Sequence, residues 1–244
     1  MLRGTYPAAQ RPICPGNDLV TLEDILFSAP KPWQPFTNED RYALAITLVA
    51  SFLQLYKTPW VGDRWTERDI HFFQAPPEAA TNNLGTTGTF PPDKRVDISH
   101  PFVTKTYKSA VSTTSSTATL PPAASIYSAT NEQPPTHDDS VNFLTLARIL
   151  LEIRTSRRIE DQRRSEDMGP GALPNEATDL QTLKRWVQQE KGNLSFAFRD
   201  AIKYCMKCFA DPDIDFKDLA FRQSVIEGVV APLLEELHFL REGV

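Results

Sequence analysis

Asp63, Arg64, Glu67, Arg68 and Asp69 follow one another closely, with Trp60 and Trp65 among them, and this is where the chain could do acid–base chemistry. A general base is a carboxylate held within hydrogen-bonding reach of a substrate proton. Asp69 could supply one, with Glu67 or Asp63 as the second carboxylate. The plainer reading is preferred: these charges pair among themselves at the surface, while Trp60 and Trp65 act as structural plugs of the core.

Other chemistry-bearing patterns resolve to packing. Cys205-Met-Lys-Cys208 has the spacing used by metal and redox sites, but no second cysteine pair accompanies it. It lies in an amphipathic stretch, where Cys behaves as a small hydrophobe. The four histidines, His71, His100, His137 and His238, are scattered, so no metal site or Ser-His-Asp set follows from spacing. Neither a Gly-x-Gly-x-x-Gly fingerprint nor a P-loop occurs. No catalytic residue, cofactor or metal is assigned.

The charged loop must be positioned by the element that feeds it. From Arg41 to Tyr56 apolar side chains stand at Tyr42, Leu44, Ile46, Leu48, Val49, Phe52, Leu53, Leu55 and Tyr56, too many for one stripe, which predicts a helix buried nearly all round. Thr37 and Asn38 can cap it, and Asp40 stands at capping-box distance from Thr37. After the loop, Asp69 to Phe73 reads as a short strand. Upstream, Val20 to Phe27 reads as a turn or two of helix capped by Thr21, and Ala29 to Phe36 as a proline-stiffened connector.

From Ala75 to about Pro135 the chain changes character. Asn82 to Gly88 reads as a loop, and Thr104 to Thr136 is rich in Ser, Thr, Ala and Pro, too poor in large apolar groups to offset the entropy of ordering, so mobility is expected. Between the two, Val96 to Val103 could dock on the core. Helices are expected thereafter. Val141 to Arg154 is a second apolar-all-round helix, with Ser140 or Asp139 as cap, followed by a solvated charged stretch from Thr155 to Gly171. Asp179 to Glu190, Asn193 to Phe209 and Phe216 to Leu240 complete the set, the second of these with Phe196 counted inward and the last interrupted near Pro232.

Composition bounds the rest. A net charge of −5 argues against nucleic acid as partner, since neutralising phosphates needs a basic face. The central apolar run is short of the ~20 residues a bilayer demands, so no membrane span is expected. Three cysteines with no disulfide framework and an N-terminus without an apolar core segment point to a cytoplasmic, reducing setting.

The loop and its two buried helices resemble the C-terminal lobe of a protein kinase in degenerate form. Kinases have a buried helix, a short spacer, then His-Arg-Asp-Leu-Lys-x-x-Asn. Here Gly62-Asp63-Arg64-Trp65-Thr66-Glu67-Arg68-Asp69-Ile70 occupies that motif, which sets Arg64 in place of the catalytic Asp and Asp69 in place of the metal-binding Asn. A second register sets Glu67-Arg68-Asp69-Ile70 on His-Arg-Asp-Leu and keeps Asp69 as base, but puts Gln74 where the Asn belongs. The first register is preferred. Phe143 to Arg158 is similar to the kinase F-helix pattern, and Ala201 to Pro212 resembles a later kinase helix. No Asp-Phe-Gly and no Ala-Pro-Glu occurs, and too few residues precede the central helix for an N-lobe.

The blocks Asp40 to Ala45, Leu53 to Leu55, Thr58 to Trp60, Trp65, Asp69 to Phe72 and Val229 to Leu233 also resemble an uncharacterised domain family of filamentous fungi. Its members have this kinase-C-lobe-like helical pattern and are often joined to helical modules of incompatibility and prion-inhibition proteins. The resemblance implies a mainly α fold: a kinase C-lobe-like helical domain over residues 20–244, with two central buried helices, little β structure and the N-lobe absent or vestigial. An irregular lead-in covers residues 1–19, and a long mobile insertion covers about 76–136. It implies a non-catalytic, pseudokinase-like interaction or regulatory domain, in fungal non-self recognition or signalling, whose partner is another protein or domain. The alternative is a divergent phosphotransferase or hydrolase using Asp69 with Glu67 or Asp63.

Overall fold

The structure is a computed structural model that describes residues 19–28, 36–56, 58, 65–74, 96–98, 100–103, 138–168, 173–212 and 214–243. Two of its helices start on reciprocal caps written locally in the sequence. Thr21 accepts the Asp24 amide at 3.0 Å while the Asp24 carboxylate takes the Thr21 amide at 3.1 Å, opening α1 (Leu22–Phe27). Thr37 and Asp40 repeat this at α2 (Asn38–Leu55), with bonds of 3.1 and 2.9 Å. Each box satisfies two of the amides that a helix start leaves orphaned and sets carboxylates where the dipole favours them.

The helix expected from Arg41 to Tyr56 is α2. Its side chains Tyr42, Leu44, Ala45, Leu48, Val49, Phe52 and Leu53 are all buried. The second buried helix is α3 (Asp138–Thr155), which is sunk more deeply: Phe143, Leu146, Ala147, Ile149, Leu150, Leu151 and Ile153 are wholly inaccessible. It starts before Asp139 and Ser140, so neither is its cap; both lie inside its first turn. Ser156 ends it in a left-handed conformation (φ 53°), its amide donating to Glu152 O at 2.7 Å and its Oγ accepting from Arg41 at 3.0 Å.

Around α3 pack α5 (Glu176–Gln189) and α6 (Phe196–Ala210), while α8 (Ala231–Glu242) covers α2. In α6 Ala197, Phe198, Ala201, Ile202, Cys205, Met206 and Cys208 face the core, so the cysteine pair is packing. Phe196 is not inward. It is 68% exposed at the helix start, under the Arg199 guanidinium. The final helix breaks before Pro232: α7 (Leu219–Val225) runs into a π-helical turn, Ile226–Val230, in which the Ala231 amide donates to Ile226 O. A ring of aromatic contacts ties these parts together, with Phe52 at 5.6 Å from Phe143 and 5.8 Å from Phe216, and Phe143 at 5.2 Å from Phe216.

The β structure is small but contains one strand that the local pattern hides. β2 (Ile70–Phe73) is the expected short run, and it is the centre of an antiparallel sheet. On one side lies β1 (Leu19–Thr21), where the sequence reading ended an irregular lead-in at residue 19 and began the capped helix at Val20, with Val20 opposite Phe72; on the other lies β3 (Phe102–Val103), with Val103 opposite Ile70. Val96 bridges to Gln74, so the docking expected of the Val96 to Val103 patch is found. Within the described part of the charged stretch after α3, a short α4 (Ile159–Gln162) forms, and Asp167 is buried. Asp167 is paired with Arg185, and Arg163 with Asp179 at 2.7 Å, so this stretch is stapled to α5 rather than merely solvated. The fold is mainly α. Among the described residues no helix is long and apolar enough to cross a membrane.

Candidate functional site

The charged turn sits between the end of α2 and β2, and its first described residue is a plug. Trp65 is buried and stacks on Phe52, ring centroids 5.8 Å apart and planes 17° from parallel. It forms part of the wall of two cavities: an apolar one of about 60 Å³ shared with Ser51, Leu55 and Phe102, and a cleft of about 220 Å³. Trp60, Asp63 and Arg64 lie outside the described residues.

Asp69 closes its own turn. Its Oδ2 accepts from the Thr66 amide at 2.7 Å and from Thr66 Oγ1 at 3.0 Å, while its own amide donates to Thr66 O at 3.0 Å. This is the helix cap reused on a tight turn, and the Thr-x-x-Asp spacing is its cause. Arg68 turns outward, away from the other loop charges, and forks onto Glu23 of α1, with Nη2 3.1 Å from Oε1. Arg158 adds a bond of 2.6 Å to the same oxygen. The Arg68 bond, with help from Arg158, holds the Glu23 carboxyl below its usual range despite some desolvation.

Glu67 turns inward to α3, where Arg148 Nη2 lies 2.9 Å from Oε1 and donates to Oε2 at 3.2 Å. One helical turn further along α3 stands Glu152, 2% exposed, whose Oε1 accepts the Ile159 amide at 2.9 Å. Burial, and after it the neighbouring charge of Glu67, pushes the Glu152 carboxyl up to about 9, with Arg148 pulling the other way. Glu152 was not expected as a site residue. Its signal was there: an acid four residues after an arginine in an otherwise apolar helix, where an ionisable group persists only when it has partners.

The cleft runs between α3 and the start of α5. Its polar lining includes Thr66, Thr145, Arg148, Arg163, Asn175 and Asp179. It ends on Arg148. Neither Glu67, Glu152 nor Asp69 lines it, so the described carboxylates of the turn do not face this opening. Both arginines are already held by acids, Arg148 by Glu67 and Arg163 by Asp179. Among the described residues no group of three or more His, Cys, Asp or Glu side chains is placed to hold a metal ion. His71 stacks on Phe102 at 5.7 Å and His100 faces Asp97 at 3.2 Å.

Residues 9–239 match the family described as a domain of unknown function (DUF7580). The chain belongs to that family. No curated protein and no solved structure matches it. The match takes in both buried helices, the sheet and the π turn of this DUF7580 domain, so the residues that fasten the charged turn all fall within the family's span.

Proposed function

We propose that this DUF7580 chain is a non-catalytic, pseudokinase-like interaction or regulatory domain. The observation that carries the reading is the commitment of the candidate bases to structure: Asp69 to Thr66 and Glu67 to Arg148. A base must be free to approach a substrate proton, and these two hold the turn instead. The sequence resemblance to a kinase C-lobe, with Arg64 in place of the catalytic Asp, points the same way, and the partner on this reading is another protein or domain. A role in signalling or non-self recognition is part of the proposal and rests on that resemblance.

Incubation with radiolabelled ATP, magnesium or manganese and generic protein substrates tests it. No transfer is expected. Asp69→Ala should cost stability on the scale of a lost cap, about 1 kcal/mol, and nothing else. Transfer that disappears in Asp69→Ala, in a variant shown to remain folded, would sink the reading in favour of a divergent phosphotransferase or hydrolase using Asp69 with Glu67 or Asp63.

A further inference from the structure

Two carboxyl groups and one guanidinium meet between α3 and the Trp65 to Asp69 turn. Glu152 Oε2 and Glu67 Oε1 are both shut away from solvent with no N–H or O–H aimed well enough to bond either, and the charge of Glu67 acts on the Glu152 carboxyl. The charged groups facing this pair can be named. From α3 itself comes Arg148, and beyond Arg148 stand Glu160 of α4 and Asp179 of α5, the latter paired with Arg163. Along the rest of α3 packs α6, whose buried side chains, Ala201, Ile202 and Cys205 among them, carry no charge. From α2, Arg41 is directed to Ile153 O and Ser156 Oγ instead. Two carboxylates against a single guanidinium, with little water to screen them, would leave a buried negative charge unbalanced, at a cost a proton removes.

We infer that Glu152 keeps its proton and donates it to Glu67, so that one shared proton latches the Trp65 to Asp69 turn onto α3, and that the latch holds through the neutral range and opens only in alkali. The sign follows from linkage. An unfolded chain releases the Glu152 proton near 4.5, whereas the folded chain holds it to about 9. Between those limits the native state binds more protons than the unfolded one, so its stability is greatest in acid and falls as pH rises. The unfolding equilibrium constant therefore climbs by up to about tenfold per pH unit across that window and levels off above it. Glu23 and Asp167, both held below the usual carboxylate range by arginines, have the opposite sign and act only at more acid pH. The chain thus carries a device that tightens the turn in acid and eases it in alkali.

Carbon-13 NMR of glutamate-labelled protein from pH 4 to 10, with urea unfolding of the wild type and Glu152→Gln across the same range, tests the latch. The amide of Glu152→Gln donates to Glu67 at every pH. One carboxyl titrating near 9 is expected, absent in Glu152→Gln, with the wild-type unfolding constant rising relative to the variant by about tenfold per unit between pH 5 and 9. Glutamates that all titrate in the ordinary carboxylate range, or parallel pH slopes in the two proteins, would overturn it. Should Glu152→Gln not fold, the wild-type titration decides alone.

Discussion

Arg148 reaches from α3 to Glu67, 2.9 Å away, and with that contact the charged turn becomes part of the core rather than a surface feature. The pair spans 81 positions of sequence, and both side chains are largely buried, at 17% and 12% exposed. Removing one member of such a pair leaves the other as an uncompensated charge, which costs far more than the pair contributes. Arg148→Met is expected to destabilise by about 3–5 kcal/mol, because it strands Glu67 beside Glu152. Arg148→Met combined with Glu67→Gln should recover most of that loss. Urea unfolding at pH 7 measures both. A cost for the single variant of no more than a surface pair's, about 1 kcal/mol, would mean that water reaches the site and the turn is not anchored there.

Trp65 lines two voids, the apolar cavity shared with Phe102 and the cleft that also touches Arg148. Trp65→Ala forfeits the stacking on Phe52 and leaves a hole, for an expected loss of about 3–5 kcal/mol. Trp65→Phe keeps a ring against Phe52 and should lose clearly less. Thermal and urea denaturation of the two variants give the ranking, and equal losses would show that something other than packing fixes this residue.

Gly228 is the third point where a single atom decides. It lies in the π-helical turn against the ring of Tyr204, and a Cβ there would fall 2.5 Å from both Cδ2 and Cε2. Alanine in a helix is ordinarily better than glycine by about 0.5–1 kcal/mol. Here the clash reverses the sign, since Tyr204 is fixed by its 2.8 Å bond to Ser224 Oγ and the ring cannot simply step aside. Gly228→Ala should destabilise by about 1–3 kcal/mol. Its cost should shrink in a Tyr204→Ala background, which a double-mutant cycle reads directly. Additive costs would place the strain elsewhere.

Arg148 and Glu152 show what a local reading can and cannot recover of the site. Their four-residue spacing on α3 was visible, and so was the oddity of two ionisable groups in an apolar helix. The partner Glu67 was visible too, as a member of the charged turn. What could not be read was that these belong together, while Arg68, beside Glu67 in sequence, turns the other way to Glu23. The loop was expected to pair its charges among themselves, but the described ones find other partners: Asp69 bonds to Thr66, Glu67 to Arg148 and Arg68 to Glu23, while Asp63 and Arg64 lie outside the described residues.

The sequence by itself determined what depends on neighbours within a turn or two of chain. The reciprocal caps of Thr21 with Asp24 and Thr37 with Asp40, the buried helices α2 and α3, the short strand at Ile70 and the packing role of Cys205 and Cys208 all follow from spacing and side-chain chemistry. Only the tertiary structure decided that Leu19 to Thr21 is a strand, because the extended backbone there is stabilised by pairing with β2, fifty or more positions on. Only it turned Phe196 outward, placed Gly228 against Tyr204, and set Glu67 on Arg148 beside a carboxyl that burial pushes far from its ordinary range. The reason is common to all of them. A side chain's energy depends on what meets it in space, and for these residues that partner comes from another part of the chain.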